Sequence, residues 1–221
     1  MCGRFVQKSP ASEMAQAFRT SNPLPNVRAR FNAAPGQEIA VVRQHPETAE
    51  LSMDLLTWGL VPYWAKDRKI GWKTINARAE TVATAPAFRS AFEKRRCIVP
   101  ADAFYEWTGT KVGSKQPHAI AMKDRRLFGF AGLWENWKDP ATEQWLRTFT
   151  IITTRANETI ANLHERMPVI LKPDTYEEWL APDSDVRELL RPYPADEMEH
   201  WMVSPRVNGS ALDDAEMLNS L

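Results

Sequence analysis

The strongest constraint on the fold is a rhythm. Short strand-like runs succeed one another between turns rich in Pro and Gly, and few helical segments interrupt them. Strands are expected around 4–6, 38–43, 51–58, 96–99, 104–108, 117–123, 127–134 and 146–154. In the last of these, Thr148-Phe149-Thr150-Ile151 alternates polar and apolar residues until Ile152 breaks the period, which marks an end buried on both faces. Helices are expected over 10–18, with Ser9 as N-cap before Pro10, and over 86–94, 156–163, 174–180 and 184–190. The segment 32–36 reads as a turn. This order lacks regular βαβ alternation, so the expected class is α+β: one domain over 1–221, with a curved, largely antiparallel, barrel-like sheet and a few peripheral helices. A chain of 221 residues that is 43% hydrophobic supplies one substantial core.

No apolar run approaches the roughly 20 residues that span a bilayer, and no secretory signal stretch opens the chain. The expectation is a monomeric cytoplasmic protein with no membrane partner, nucleoid-associated if the source is bacterial. Two cysteines, Cys2 and Cys97, make no disulfide framework, and no CxxC or HxxxH spacing points to a metal. No metal or cofactor is expected, a Cys2/His164 zinc pair being the one arrangement left open. Net charge is zero but unevenly spread: +4 over 1–45, +6 over 66–96 and −9 over 174–221. Two basic segments on one face would suit an anionic ligand, and ordinary solvated surface is the other reading.

Cys2-Gly3 after an initiator methionine is an arrangement that methionine aminopeptidase trims, because both side chains are small. A chain beginning at Cys2 carries an α-amine and a thiol on neighbouring carbons, with reference pKa values of about 7.7–8.0 and about 8.5. Such a 1,2-aminothiol captures aldehydes: the amine gives a Schiff base, and the thiol closes on the imine carbon to form a thiazolidine. An internal cysteine has no such chemistry, and a buried inert thiol is the plain alternative.

Four further segments join polar groups to apolar neighbours. In Phe104-Tyr105-Glu106-Trp107 a carboxyl stands among three aromatics, where desolvation would raise its pKa and suit it to proton transfer; an exposed strand glutamate is the competing reading. His164 lies between an expected helix and Pro168, as a tuned acid or base or as a plain loop residue. Thr74-Ile75-Asn76-Ala77-Arg78-Ala79-Glu80-Thr81 supplies an amide and a guanidinium. The loop 59–71 sets Tyr63 and Trp64 beside a charged stretch, as a base-stacking platform or as a loop pinned to the core by its aromatics.

Together, Met1-Cys2-Gly3-Arg4-Phe5, Asn32-Ala33-Ala34-Pro35-Gly36, Trp58-Gly59-Leu60-Val61-Pro62, Ile75-Asn76-Ala77-Arg78-Ala79-Glu80-Thr81, Phe104-Tyr105-Glu106-Trp107 and His164-Glu165-Arg166-Met167-Pro168 resemble the SRAP family, the SOS-response-associated peptidase domain. The resemblance is clearest over 2–171. It implies a partner, single-stranded DNA carrying an abasic site, and a covalent crosslink through the N-terminal cysteine. By similarity the catalytic residues are Cys2, Asn76, Glu106 and His164. Asn76 would orient the amine or the sugar, while Glu106 and His164 move protons. Arg4, Arg78 and Arg166 would grip the DNA backbone, and Asn32, Pro35, Trp64 and Trp107 complete the expected DNA-binding set. Two other functions stay open: a thiol peptidase of the N-terminal nucleophile type acting on its own Met1, and a non-covalent reader of single strands.

Overall fold

The computed structural model describes residues 2–45, 48–109, 115–182 and 184–221. In chain order the elements are β1 (Phe5–Gln7), α1 (Ala11–Phe18), β2 (Arg30–Ala33), β3 (Glu38–Gln44), β4 (Leu51–Trp58), β5 (Asn76–Arg78), α2 (Arg89–Lys94), β6 (Arg96–Ala101), β7 (Ala103–Thr108), β8 (Gln116–Met122) and β9 (Phe128–Lys138). They continue with β10 (Trp145–Arg155), α3 (Glu158–Ala161), β11 (Arg166–Pro168), β12 (Ile170–Leu171), α4 (Tyr176–Leu180) and β13 (Met198–Met202).

The strands β10, β4, β3, β6 and β9 pair in that order, and β9 pairs again with β10, closing a barrel. Only the β4–β10 seam in this ring is parallel. Closure removes the open edges that a sheet of this size would otherwise expose. Beside the barrel lies an antiparallel sheet of order β13-β8-β7-β1-β2. The expected α+β class with a curved, largely antiparallel barrel is the one observed.

Alternation assigns the core. Phe5, Phe104 and Ile120 of the second sheet and Val41, Cys97, Val99 and Phe149 of the barrel belong to one buried cluster between the two sheets. Their strand neighbours Val42 and Ile98 face outward to a second cluster with Met14 and Phe18 of α1 and Trp179 of α4. On the far side of the second sheet, Val6, Tyr105, Ala119 and Ala121 are covered by Val203, Val207 and Met217 of the C-terminal segment. This acidic segment is therefore part of the packed fold.

Several local expectations need correction. Ser9 does not cap α1: Pro10 holds the N-cap position without a side-chain bond, and the Ser9 hydroxyl donates to Asp102 Oδ1 at 2.6 Å. Asp102 also accepts the Lys8 and Ser9 amides at 2.7 and 3.1 Å, at the single residue where the chain passes from β6 to β7. Tertiary demand for those donors outweighs the local cap. Residues 30–33, expected partly as turn, form β2, and the helix expected at 184–190 is a single 3-10 turn, Arg187–Leu189. The helices expected at 86–94 and 156–163 contract to α2 and α3. The short strands β5, β11, β12 and β13 were not legible as local patterns, because pairing with longer strands supports them.

Candidate active site

Cys2 sits just before β1, wholly buried, in the cluster that holds Phe5, Ala33, Trp58, Phe104 and Met167. Burial pushes its thiol well above the ordinary range, and the negative charge of Glu106 adds to the effect; a hydrogen bond from the Arg4 backbone works against both. The thiol is thus held protonated close to a carboxyl.

That carboxyl is placed by strand alternation. Phe104 and Glu106 point to the inner face of β7, whereas Tyr105 and Trp107 point to the outer one. Glu106 is 2% exposed, and burial pushes its pKa up to about 7, with Lys115 pulling weakly the other way. The buried reading of Glu106 is the correct one, and near neutrality the group is poised to give or take a proton.

His164 follows α3 in a tight turn. Its Nδ1 lies 2.9 Å from the Arg166 backbone N–H and 3.2 Å from the Arg166 carbonyl oxygen, so it accepts from the one with the ring proton on Nε2 or donates to the other with the proton on Nδ1. Burial, first among several causes, lowers its pKa and favours the neutral form. Leu163, Ile160 and Met167 around it pack with the Cys2 cluster, as does Ile75 next to Asn76. The Asn76 amide nitrogen donates to Ile75 O at 3.0 Å, while its Oδ1 is buried with no hydrogen-bond partner among the described residues. An acceptor left so is costly unless a ligand supplies a donor. Of the four expected catalytic residues, Cys2 lies just before β1, Asn76 on β5, Glu106 on β7 and His164 in the α3–β11 turn, each beside or within the inter-sheet core.

The expected DNA-binding residues divide. The Arg78 side chain is 66% exposed and only loosely engaged with Glu80, at 3.8 Å. Arg4 is half-buried, with Nη1 donating to Val207 O at 3.1 Å, and burial lowers its pKa. Trp64 and Tyr63 are 49% and 61% exposed. Their loop is indeed anchored, but by other groups: Trp137 Nε1 donates to Ala65 O at 2.7 Å, Thr74 Oγ1 donates to Leu60 O at 2.5 Å, and Glu135 accepts the Tyr63 amide. The two rings project from a fixed frame.

Three of the expected DNA contacts have partners within the fold. Arg166 is buried, forms a two-pronged pair with Glu80 at 2.7 and 3.0 Å, and donates to Thr153 O at 2.5 Å, so its guanidinium fixes β11 and the His164 turn. Asn32 is fully buried and its amide donates to Gly209 O and Leu212 O at 3.0 and 2.9 Å, which ties down the C-terminal segment. Trp107 lies on the face of β7 opposite Glu106, with its indole N–H on Asn208 Oδ1 at 2.7 Å.

Sequence reasoning missed His118 and His200. His118 lies directly across from Glu106 in the β7–β8 register, and its Nδ1 is 3.3 Å from Nδ1 of His200 on β13. Only the register of β8 could have found this pair, because the run around His118 has little pattern of its own. Among the described residues no group of three or more His, Cys, Asp and Glu is arranged to hold a metal ion, and no helix is long and apolar enough to cross a membrane.

The site thus sets a buried cysteine before the first strand of a β-rich domain beside a buried glutamate whose pKa is raised to about 7. The SOS response associated peptidase (SRAP) family model matches residues 1–210, and the chain belongs to this family. It is 43% identical over 226 residues to the abasic site processing protein YoqW of Bacillus subtilis, covering all of both chains. It is 33% identical to the abasic site processing protein HMCES of Gallus gallus over 80% of this chain and 60% of that one. A solved structure from Bacteroides thetaiotaomicron superposes over all of both chains with a TM-score of 0.88 at 25% identity.

Proposed function

We propose that this protein acts on abasic sites in single-stranded DNA and captures them covalently through Cys2 once Met1 is removed. The names of its relatives support the lesion as target. The observation that carries the chemistry is the buried Cys2 thiol beside the Glu106 carboxyl poised at about 7.

The ring-opened abasic sugar presents an aldehyde at C1′. The freed Cys2 amine adds to C1′; a proton from Glu106 or His164 lets the oxygen leave as water, and an imine remains. The thiol, kept protonated by burial and by Glu106, attacks second. Sγ bonds to C1′, its proton passes to the ionised Glu106, and the nitrogen takes one back to become the ring amine. The balance is aldehyde plus aminothiol giving thiazolidine plus one water, with no redox step. Asn76 Oδ1 accepts from the attacking amine or a sugar hydroxyl. Arg78 and the outward rings of Tyr63 and Trp64 hold the strand.

Intact mass measurement and denaturing electrophoresis test this, with a single-stranded oligonucleotide carrying one abasic site beside an undamaged control. The expected product is the sum of the two masses less one water, from protein lacking Met1 and on the damaged strand alone. Cys2→Ser keeps the amine and loses the thiol, so it gives at most a hydrolysable imine. A full yield of heat-stable adduct from Cys2→Ser sinks the thiazolidine, and salt-sensitive complexes alone would leave a passive reader.

A further inference from the structure

Beyond the Cys2 site, the molecule carries a cavity of about 340 Å³ between the Pro35-Gly36 turn, the end of β4 and the loop bearing Arg68 and Trp72. Its walls depend on glycine. Gly36 has φ +83°, a region that strains other residues, and a Cβ there would lie 2.9 Å from the far edge of the Trp72 ring. Gly59, at φ +119°, faces Gly71 so closely that a Cβ on either would meet the other's carbonyl oxygen at 2.7 or 2.8 Å. These contacts fold the loop back on β4 and stand the indole of Trp72 at the rim, 65% exposed.

The surroundings say what such a ring would take. Lys66, Arg68, Lys69 and Lys73 flank it against the lone acid Asp67, and all five are exposed. A fixed indole beside a guanidinium and ammonium groups selects a flat heteroaromatic on an anionic chain. Pro35 and Trp58 line this cavity, and Trp58 and the nearby Ala33 of β2 belong to the Cys2 cluster, so the cavity and the Cys2 site share a wall of the core.

We propose that the cavity is a second nucleobase subsite: it takes an undamaged base of the strand whose lesion reacts at Cys2, stacked on Trp72, with a neighbouring phosphate at Arg68. The proposal rests on the single-strand reading given above. It makes the grip on flanking DNA a property of this loop, separable from the chemistry.

Fluorescence anisotropy with undamaged single strands of increasing length, and 2-aminopurine stepped along an abasic strand, test it. Wild-type protein should gain affinity once the strand is long enough to reach the cavity, and should change 2-aminopurine emission at one spacing from the lesion. Trp72→Ala should lose both, binding long strands about 5- to 150-fold more weakly, yet form its adduct with a short abasic strand at wild-type yield. Trp72→Phe, which keeps a stacking face, should recover much of the length dependence. If Trp72→Ala binds every length as wild type does, the subsite is wrong while capture at Cys2 stands. If wild type binds no strand and forms no adduct, both readings fail.

Discussion

Two carboxylates attached to the same five-stranded sheet have opposite surroundings. Asp213 seals the edge strand β2: one oxygen accepts the Phe31 and Asn32 amides at 2.5 and 2.9 Å, and the other meets Arg28 at 2.9 Å and Arg30 at 3.6 Å. Burial opposes its charge, but Arg28 and the two amides outweigh that and hold the carboxyl below the usual aspartate range. Glu106, on the inner face of β7, has its pKa set chiefly by burial, which pushes it up to about 7. Burial of an acid is therefore no functional signature by itself. The donors around it decide whether it stays charged as a clamp or titrates near neutrality.

The sharpest way to break this comparison is Glu106→Gln. Adduct formation at pH 7 should fall about 100- to 10,000-fold, the usual worth of a positioned acid or base. Stability should move the other way. A carboxyl whose folded pKa is raised contributes most below the ordinary glutamate value and loses that contribution as pH rises through about 7. The glutamine variant should then match wild type at pH 4 and exceed it at pH 8 by up to about 3 kcal/mol in urea unfolding. A variant less stable than wild type at pH 8 would show that Glu106 is a structural anion like Asp213.

Asp213→Asn is the counterpart. It keeps the shape and removes the charge that the two amides and Arg28 address, so stability near neutrality should drop by about 2–3 kcal/mol. Because the folded pKa of Asp213 is depressed, its contribution is complete above the ordinary aspartate value and fades as pH falls below it, so the deficit should shrink in acid. Adduct formation by the folded variant should stay within about threefold of wild type. A large kinetic loss would mean that the C-terminal clamp and the Cys2 site are one unit.

Much of this contrast was legible before the structure, and the unread part has a physical cause. The long strands β3, β4 and β10 announce themselves by local pattern, as does Glu106 among its aromatics. The pairing of Arg166 was not legible, because a sequence shows a guanidinium but not the Glu80 that meets it 86 residues away. Asn32 and Trp107 sit in motifs with the expected residue types, yet their partners lie in the C-terminal segment, at Gly209, Leu212 and Asn208. Cross-strand facts need a register, and register is a property of two segments at once.

A smaller effect separates positioning from proton transfer. Arg166→Lys keeps the backbone N–H and carbonyl beside His164 Nδ1 and loses the two-pronged grip on Glu80. The adduct rate should fall about three- to tenfold while the pH at half-maximal rate stays put. A moved midpoint would place Arg166 in the electrostatics of Glu106 itself.

The finest test concerns the neighbours of Glu106 that can titrate. Across the strand from it stands His118, 9% exposed, with its Nε2 3.5 Å from Thr108 Oγ1 and its Nδ1 facing the exposed His200. Burial and the neighbouring His200 lower the pKa of His118, so His118 takes up a proton only toward acid pH. A charge arriving there favours ionised Glu106, as exposed Lys115 already does, whereas the burial of Glu106 beside Cys2 opposes ionisation. His118→Phe removes a polar neighbour and adds an apolar ring, and both changes disfavour the carboxylate. The midpoint of Glu106, read by carbon NMR of its carboxyl or from the pH dependence of the adduct rate, should rise by roughly 0.3–1 unit. Asp213, which clamps the edge strand of the same sheet, should not respond. A downward move, or an equal shift at both acids, would mean that the two carboxylates differ less in their surroundings than their hydrogen bonds imply.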